Sequence, residues 1–334
     1  MGLGALALIC VAGCGGGDRR DAGPAGRPPS ISPPPVNDLR ATARSIRVDG
    51  RWLAAGAGAV WLSGPRAVYR LDGATGRRTA TVPVPAGPCE ASAVGLGAVW
   101  TATCTTPGLA RIDPSTNRQT GHVALAVPQY LGGEASVGVG ANAVWVVVDG
   151  ASCFACRLAR VDPRSLRVTA RIPVMAGAAG VHVDGGSVWI TNPDGDVVQQ
   201  VDAARLRVVR TRPTGDMPRF LTVDRGGALW TLNQADGTVT RIDPRSGRTA
   251  THDVELHGSG GALAAHGRWL WARGSEKLLT RLDERSGQVV ERYGPAVGDG
   301  AVVVGFGAVW VSAPGIRTLW RLPLDRVPRD VPAT

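Results

Sequence analysis

Few side chains in this sequence are typed and spaced to do chemistry. The tripeptide Glu255-Leu256-His257 puts a carboxylate two positions from an imidazole, and His252 and His266 lie nearby. A carboxylate and an imidazole are the groups that general acid–base catalysis uses, but a base also needs a partner that holds it in place. The sequence names no such partner, so Glu255 and His257 are weak catalytic candidates and a solvated loop is the plainer reading. Cysteine offers a second chemistry. Cys153-Phe-Ala-Cys156 has the C-x-x-C spacing of redox and metal sites. No strand-then-helix context surrounds it and no histidine is close, so a local disulfide stapling a long loop is favoured. Cys89 and Cys104 sit symmetrically about Leu96-Gly97, seven residues to either side. Opposed positions on two antiparallel strands can reach disulfide distance, so a Cys89–Cys104 bond is expected. A four-cysteine zinc site would require both pairs to converge, and no metal is expected.

The elements that must position these groups come from a repeat. Gly58-Ala-Val-Trp61, Gly97-Ala-Val-Trp100 and Gly307-Ala-Val-Trp310 are identical, and near copies end at Trp145, Trp189, Trp230 and Trp271. The intervals are 39, 45, 44, 41, 41 and 39 residues, the period of a four-stranded propeller blade. A second phrase follows each tryptophan: Arg70-Leu-Asp72, Arg111-Ile-Asp113, Arg160-Val-Asp162, Gln200-Val-Asp202, Arg241-Ile-Asp243 and Arg281-Leu-Asp283. Asp, often before Pro, opens a turn. Alternating runs such as 79–84 and 168–174 then supply outer strands. The expected fold is all-β: a seven-bladed β-propeller with four-stranded blades over residues 41–327, tryptophans filling the gaps between blades. The seventh copy ends at Arg321-Leu-Pro323 with no outer strand after it. Residues 42–48 resemble residues 168–174, so the N-terminal strand is expected to close the last blade.

Residues 1–13 form a short apolar run ending Val11-Ala12-Gly13, too short to span a membrane. With Cys14 following, it resembles a bacterial lipoprotein signal, although no Lys or Arg precedes the run. Cys14 would carry the lipid, residues 14–40 would be a Gly/Pro-rich tether, and residues 328–334 a short tail. Export to the outer face of the cell membrane, held there by the lipid anchor, follows, with disulfides permitted. The net charge of +10 comes almost wholly from arginine, since Lys277 is the single lysine among 37 basic residues. Those arginines are scattered through every repeat rather than clustered with aromatics, so no nucleic-acid partner is expected. The chain is expected to be monomeric.

The sequence of G-x-hydrophobic-Trp, hydrophobic-Asp-Pro, a turn and an apolar strand resembles the virginiamycin B lyase and YVTN-type propeller superfamily over about residues 41–325. The resemblance implies the propeller. For the lyase it implies a histidine base with acidic residues and magnesium on the top face. This chain lacks the acidic residue that family's blades often carry after tryptophan, having Trp61-Leu-Ser63 and Trp310-Val-Ser312 instead. Top-face loops would contribute Glu90, Gln129, Tyr130, Asn192, Arg219, Phe220 and Asn233 to a ligand. The expected role is a non-enzymatic binding or scaffold module for a protein or cell-envelope ligand, without cofactor. A metal-dependent lyase or hydrolase, using magnesium, and an extracytoplasmic sensor with a partner chain are the alternatives.

Overall fold

The computed structural model describes residues 34, 36–126, 137–148, 156–258, 261–274, 279–295 and 298–328. Seven small antiparallel sheets account for nearly all of them. In the first, strands Trp52–Gly56, Ala59–Ser63, Ala67–Leu71 and Arg78–Pro83 follow one another from the innermost to the outermost. The innermost hairpins turn through two residues of positive φ, such as Leu96 (53°) with Gly97 (76°), or Ala141 (49°) with Asn142 (57°). A turn of that hand matches the right-handed twist of the strands it joins.

The tryptophan phrase is one device that locks a blade to its neighbour. The indole Nε1 of Trp61, Trp100, Trp145 and Trp310 donates to the carbonyl of Gly56, Gly95, Gly140 and Gly305, at 3.1, 3.2, 3.1 and 3.1 Å. Those glycines end the innermost strands, where the next blade crowds in. A Cβ on Gly95 would lie 2.6 Å from Val139, and one on Gly140 would lie 2.7 Å from Val183. Each of the seven indoles packs among the next blade's apolar side chains, as Trp61 does with Val99, Ala110 and Ile112. The expectation that tryptophan fills the inter-blade gaps is met.

The second phrase belongs to the same device. Arg70, Arg160, Arg241, Arg281 and Arg321 each stand directly opposite a blade tryptophan on the adjacent strand. Their guanidinium carbons lie 5.7, 6.0, 6.0, 5.8 and 5.6 Å from the ring centroids, within cation–π range. The aspartate two positions later caps the turn: Asp72 accepts from the Thr75 N–H at 2.7 Å and Asp162 from the Ser165 N–H at 2.7 Å.

Closure uses more of the N-terminal segment than its sequence suggests. Three elements precede the first blade: β1 (Val36–Asp38), the single helical turn α1 (Leu39–Thr42) and β2 (Arg44–Arg47). β2 pairs antiparallel with Thr318–Pro323 and supplies the outer strand of blade 7, as expected. β1 pairs parallel with Val289–Gly294, so blade 6 has five strands rather than four. Between them Asp38 caps α1 by accepting from the Arg40 N–H at 2.9 Å, and Leu39 is fully buried against Trp320 and Val327. Residues 36–40 read as tether because a lone leucine among polar residues has no period. Its burial is decided by the two blades it bridges.

Candidate functional site

The loops leading from an outermost strand to the next blade, and from the second strand to the third, gather on one face, here called the top. Glu255 and His257 lie on it, between strands Thr249–Asp253 and Gly261–His266. Their loop alternates: Val254 and Leu256 are buried in the core while Glu255 and His257 face outward. The Glu255 carboxylate is taken by Arg292 at 2.9 Å, and the same guanidinium donates to the Val254 carbonyl at 3.2 Å. His257 lies across Gly237, where an added Cβ would meet the imidazole at 2.7 Å. His266 ends an innermost strand on the opposite face. His252 sits on an outer strand beside the Trp230 ring, where burial pushes its imidazole pKa down, with Arg241 adding to the effect. The three histidines are therefore not assembled. Among the described residues, no three His, Cys, Asp or Glu side chains stand together as a metal would require. The magnesium site that the lyase resemblance implies finds no matching donor set among them.

The remaining candidates divide by what they touch. Asn233 is fully buried: its amide donates to Thr238 Oγ1 and Thr240 Oγ1 at 2.8 and 2.9 Å, and its carbonyl accepts from Thr231 Oγ1 at 2.9 Å. Asn192 is buried with its amide donating to the Ala176 carbonyl. Phe220 is core, packed with Trp230 and Leu263. Arg219 is half-buried, and its carbonyl accepts from Thr191 Oγ1 at 2.9 Å. Glu90 lies on strand Pro88–Gly95, but its side chain is outside the described residues. Gln129, Tyr130, Cys14 and Cys153 are outside them too, and so is the Cys153–Cys156 pairing. The Cys89–Cys104 disulfide is present, with the two Cα atoms 5.7 Å apart.

Three hydroxyls two positions after tryptophan turn out to matter. Ser312 Oγ donates to the Arg51 carbonyl of the next blade at 2.5 Å and accepts from the Ala301 N–H of its own at 2.8 Å. Thr191 Oγ1 bridges the Gly180 N–H and the Arg219 carbonyl in the same way, at 2.8 and 2.9 Å. Ser63 Oγ meets Ser92 Oγ at 2.8 Å. The signal W-x-[ST] was visible in sequence, but only the ring shows that these hydroxyls cross between blades. Blade 6 has Arg273 at that position. It is fully buried and donates to the carbonyls of Asp299 at 3.1 Å, Ser312 at 3.4 Å and Gly274. Burial lowers its pKa to about 10, against the opposing pull of Asp299. Asp299 in turn pairs with Arg51 at 2.6 Å.

Among the described residues, two features stay open on the top face. One is a depression of about 230 Å³ over blades 7, 1 and 2, bordered by Arg51, Trp52, Pro65, Pro88 and Pro314, with Cys89 of the disulfide at its wall. The other is a group of carboxylates over blades 4 and 5. Asp196 accepts from the Met217 N–H at 2.9 Å and Asp236 from the Asp216 N–H at 2.8 Å. The Asp216 carboxyl is raised by desolvation and by the neighbouring charges of Asp196 and Asp236.

No known family profile and no curated protein matches this sequence. Solved structures do. Streptogramin B lyase superposes with a TM-score of 0.68 at 14% identity, over 85% of this chain and 99% of its own. Virginiamycin B lyase from Staphylococcus aureus gives 0.68 at 14% identity, over 84% of this chain and 98% of its own. Kuenenia stuttgartiensis hydrazine synthase gives 0.68 at 16% identity, over 83% of this chain and 96% of its own. At such identities the likeness shows the fold alone, and proteins named for different chemistries share it.

Proposed function

We propose that the protein is an exported, lipid-anchored propeller that binds a protein or cell-envelope ligand on its top face and carries out no catalysis itself. One observation carries this reading: the top-face depression over blades 7, 1 and 2 is bordered by a disulfide and three prolines. The Cys89–Cys104 disulfide ties the start of strand Pro88–Gly95 to the residue that follows its partner strand Ala98–Thr103. Pro65 and Pro314 fix the other borders. A surface ordered in advance gives up little conformational entropy on binding. The disulfide also supports export into an oxidising compartment, with Cys14 as the lipid attachment point. Lyase or hydrolase chemistry loses support because Arg292 holds the Glu255 carboxylate.

The test places a photo-crosslinking residue at Pro314, beside the depression, and separately at Leu206 on the opposite face, in cells making the native protein. The expected result is one dominant adduct from position 314 and none from 206. Background labelling alone at 314 sinks the proposal. A Cys14→Ser variant is expected to leave the membrane fraction, and its retention there would refute the anchor.

A further inference from the structure

A larger recess than the top-face depression lies at the rim of the ring, between blades 7 and 1. It measures about 830 Å³ and is lined by β2 on one side and by residues 69–78 of blade 1 on the other. Its shape follows from the closure. β2 has four residues where the outer strands of blades 1 to 4 have six or seven, so blade 7 is short at its outer edge. Ile46 reaches across the recess to blade 1: a Cβ on Gly76 would lie 2.2 Å from its Cδ1. Ile46, Tyr69 and Leu71 give the recess apolar lining.

Around that lining the charge is one-sided. Arg44, Arg47, Arg77 and Arg78 border the recess, against Asp49 alone among the lining acids. Arg44 donates to the Thr75 carbonyl at 3.0 Å, and Arg78 lies over the Tyr69 ring at 5.3 Å, so both guanidinium groups are held at the recess. Arg47 and Arg77 are exposed. The nearby Asp72 carboxylate is occupied by the Thr75 N–H and hydroxyl, at 2.7 and 2.6 Å.

The backbone of β2 is also available. It is the edge of its sheet and pairs only with Thr318–Pro323. Among the described residues no backbone hydrogen bond joins it to blade 1. Alternate N–H and C=O groups of an edge strand point outward and can template another strand. The protein already uses this at the adjacent blade, where β1 adds in parallel to the outer strand of blade 6.

We propose that the recess between blades 7 and 1 docks an extended acidic peptide of a partner protein, its backbone pairing with the open edge of β2 and its carboxylates meeting Arg44, Arg47, Arg77 and Arg78. The arginine fork suits carboxylate pairs, and the apolar lining takes the alternate side chains of an extended strand. This site shares only Asp49 with the top-face depression, and the probe and variants below touch none of the other residues that border that depression.

The probe is a fluorescein-labelled decapeptide alternating glutamate and valine, titrated against the full chain, with a lysine–valine decapeptide as control. Saturable micromolar binding of the acidic probe is expected, with hydrogen-exchange protection confined to residues 44–48. Arg47→Glu combined with Arg77→Glu should weaken it at least tenfold at unchanged melting temperature. Arg77→Gln alone, a milder change, should weaken it two- to fivefold. Charged edges also repel stray strands, and if that is their whole role the probe will not bind saturably. No saturable binding, equal affinity of the reversed variant, or binding without protection of β2 overturns the proposal. So does tighter binding of a sulfated polysaccharide with no such protection, which would make the recess a general polyanion site.

Discussion

Blades 3 and 6 are written with the same two phrases and solve different problems. In blade 3, Trp145 Nε1 donates to Gly140, Val146 to Val148 are buried, and Arg160 lies half-exposed over the indole, bonded to Thr169 Oγ1 at 2.8 Å. In blade 6, His266 stands where the accepting glycine would be, and Trp271 Nε1 has no hydrogen-bond partner among the described residues. Arg281, the counterpart of Arg160, is fully buried 4.1 Å from the Trp269 ring. Glu291 pairs with it at 3.0 Å, and Tyr293 donates to the same carboxylate at 2.7 Å. Burial lowers the Arg281 pKa against the pull of Glu291. Burial raises that of Tyr293, and Glu291 adds to the rise. Trp269 covers Arg281 from one side, and the Pro328 carbonyl of the segment after the last blade accepts from its guanidinium at 2.8 Å. β1 adds a fifth strand at the outer edge of the same blade, which blade 3 lacks. One repeat position therefore holds a surface arginine or a buried one, according to what a distant segment does.

Removing the two arginines should separate the blades most widely. Arg281→Ala leaves the partly buried Glu291 carboxylate without its cation, an imbalance that should cost up to about 3 kcal/mol. Arg160→Ala loses an exposed cation–π contact, worth about 0.5–1 kcal/mol. Denaturant titration of both variants checks this, and equal losses would mean that the burial of Arg281 adds nothing to its pairing. The anchor of β1 comes next. Leu39→Ala should destabilise by about 2–4 kcal/mol, as buried leucine truncations do. It should also speed hydrogen exchange in residues 289–294, with residues 168–173 of blade 3 unaffected.

The indoles sharpen the contrast on a finer scale. Trp145→Phe strands the Gly140 carbonyl, whereas Trp271→Phe strands nothing, so the blade 3 variant should lose about 1 kcal/mol more than the blade 6 variant. Calorimetry on the pair decides it. The smallest effect is acid sensitivity. In blade 3, the Ser165 N–H and hydroxyl hold Asp162 below the usual carboxylate value of 3.8. In blade 6, desolvation works to raise Asp283, but Arg268 and the turn N–H groups outweigh it and lower it from 3.8. A carboxylate whose folded pKa is depressed contributes fully above its unfolded pKa of about 4 and loses that contribution as pH falls through the folded value. Asp162→Asn and Asp283→Asn should each flatten the fall in melting temperature below about pH 4. An unchanged acid limb in both would show that these turns do not contribute to it.

The repeat made most of this fold legible. Seven tryptophans at a nearly constant interval gave the blades, and the likeness of residues 42–48 to an outer strand gave the closure. Symmetry about Leu96-Gly97 gave the disulfide, because a hairpin turns sequence distance into spatial opposition. The candidate site was much less legible. Asn192, Asn233 and Phe220 stood in the correct loops and strands for a top-face ligand, yet their side chains turn inward. Which way a residue at a strand end points depends on register against the next blade. Glu255 and His257 stand two positions apart in sequence, but the loop's in-and-out alternation delivers the carboxylate to Arg292, 37 residues away in the chain.

What the sequence determined by itself is local and repeated: tight turns of positive φ, strands of period two, aspartate-capped turns and one large aromatic per blade. Each rests on forces that act within a few residues, so a single chain of letters carries them. Tertiary structure alone decided where water is excluded. It set β1 on blade 6, sent Leu39 into the core and buried Arg281 while leaving Arg160 half-exposed. It also opened the arginine-lined recess beside β2. Burial is a property of what lies opposite in space, and in a closed ring the opposing surface can come from the other end of the chain.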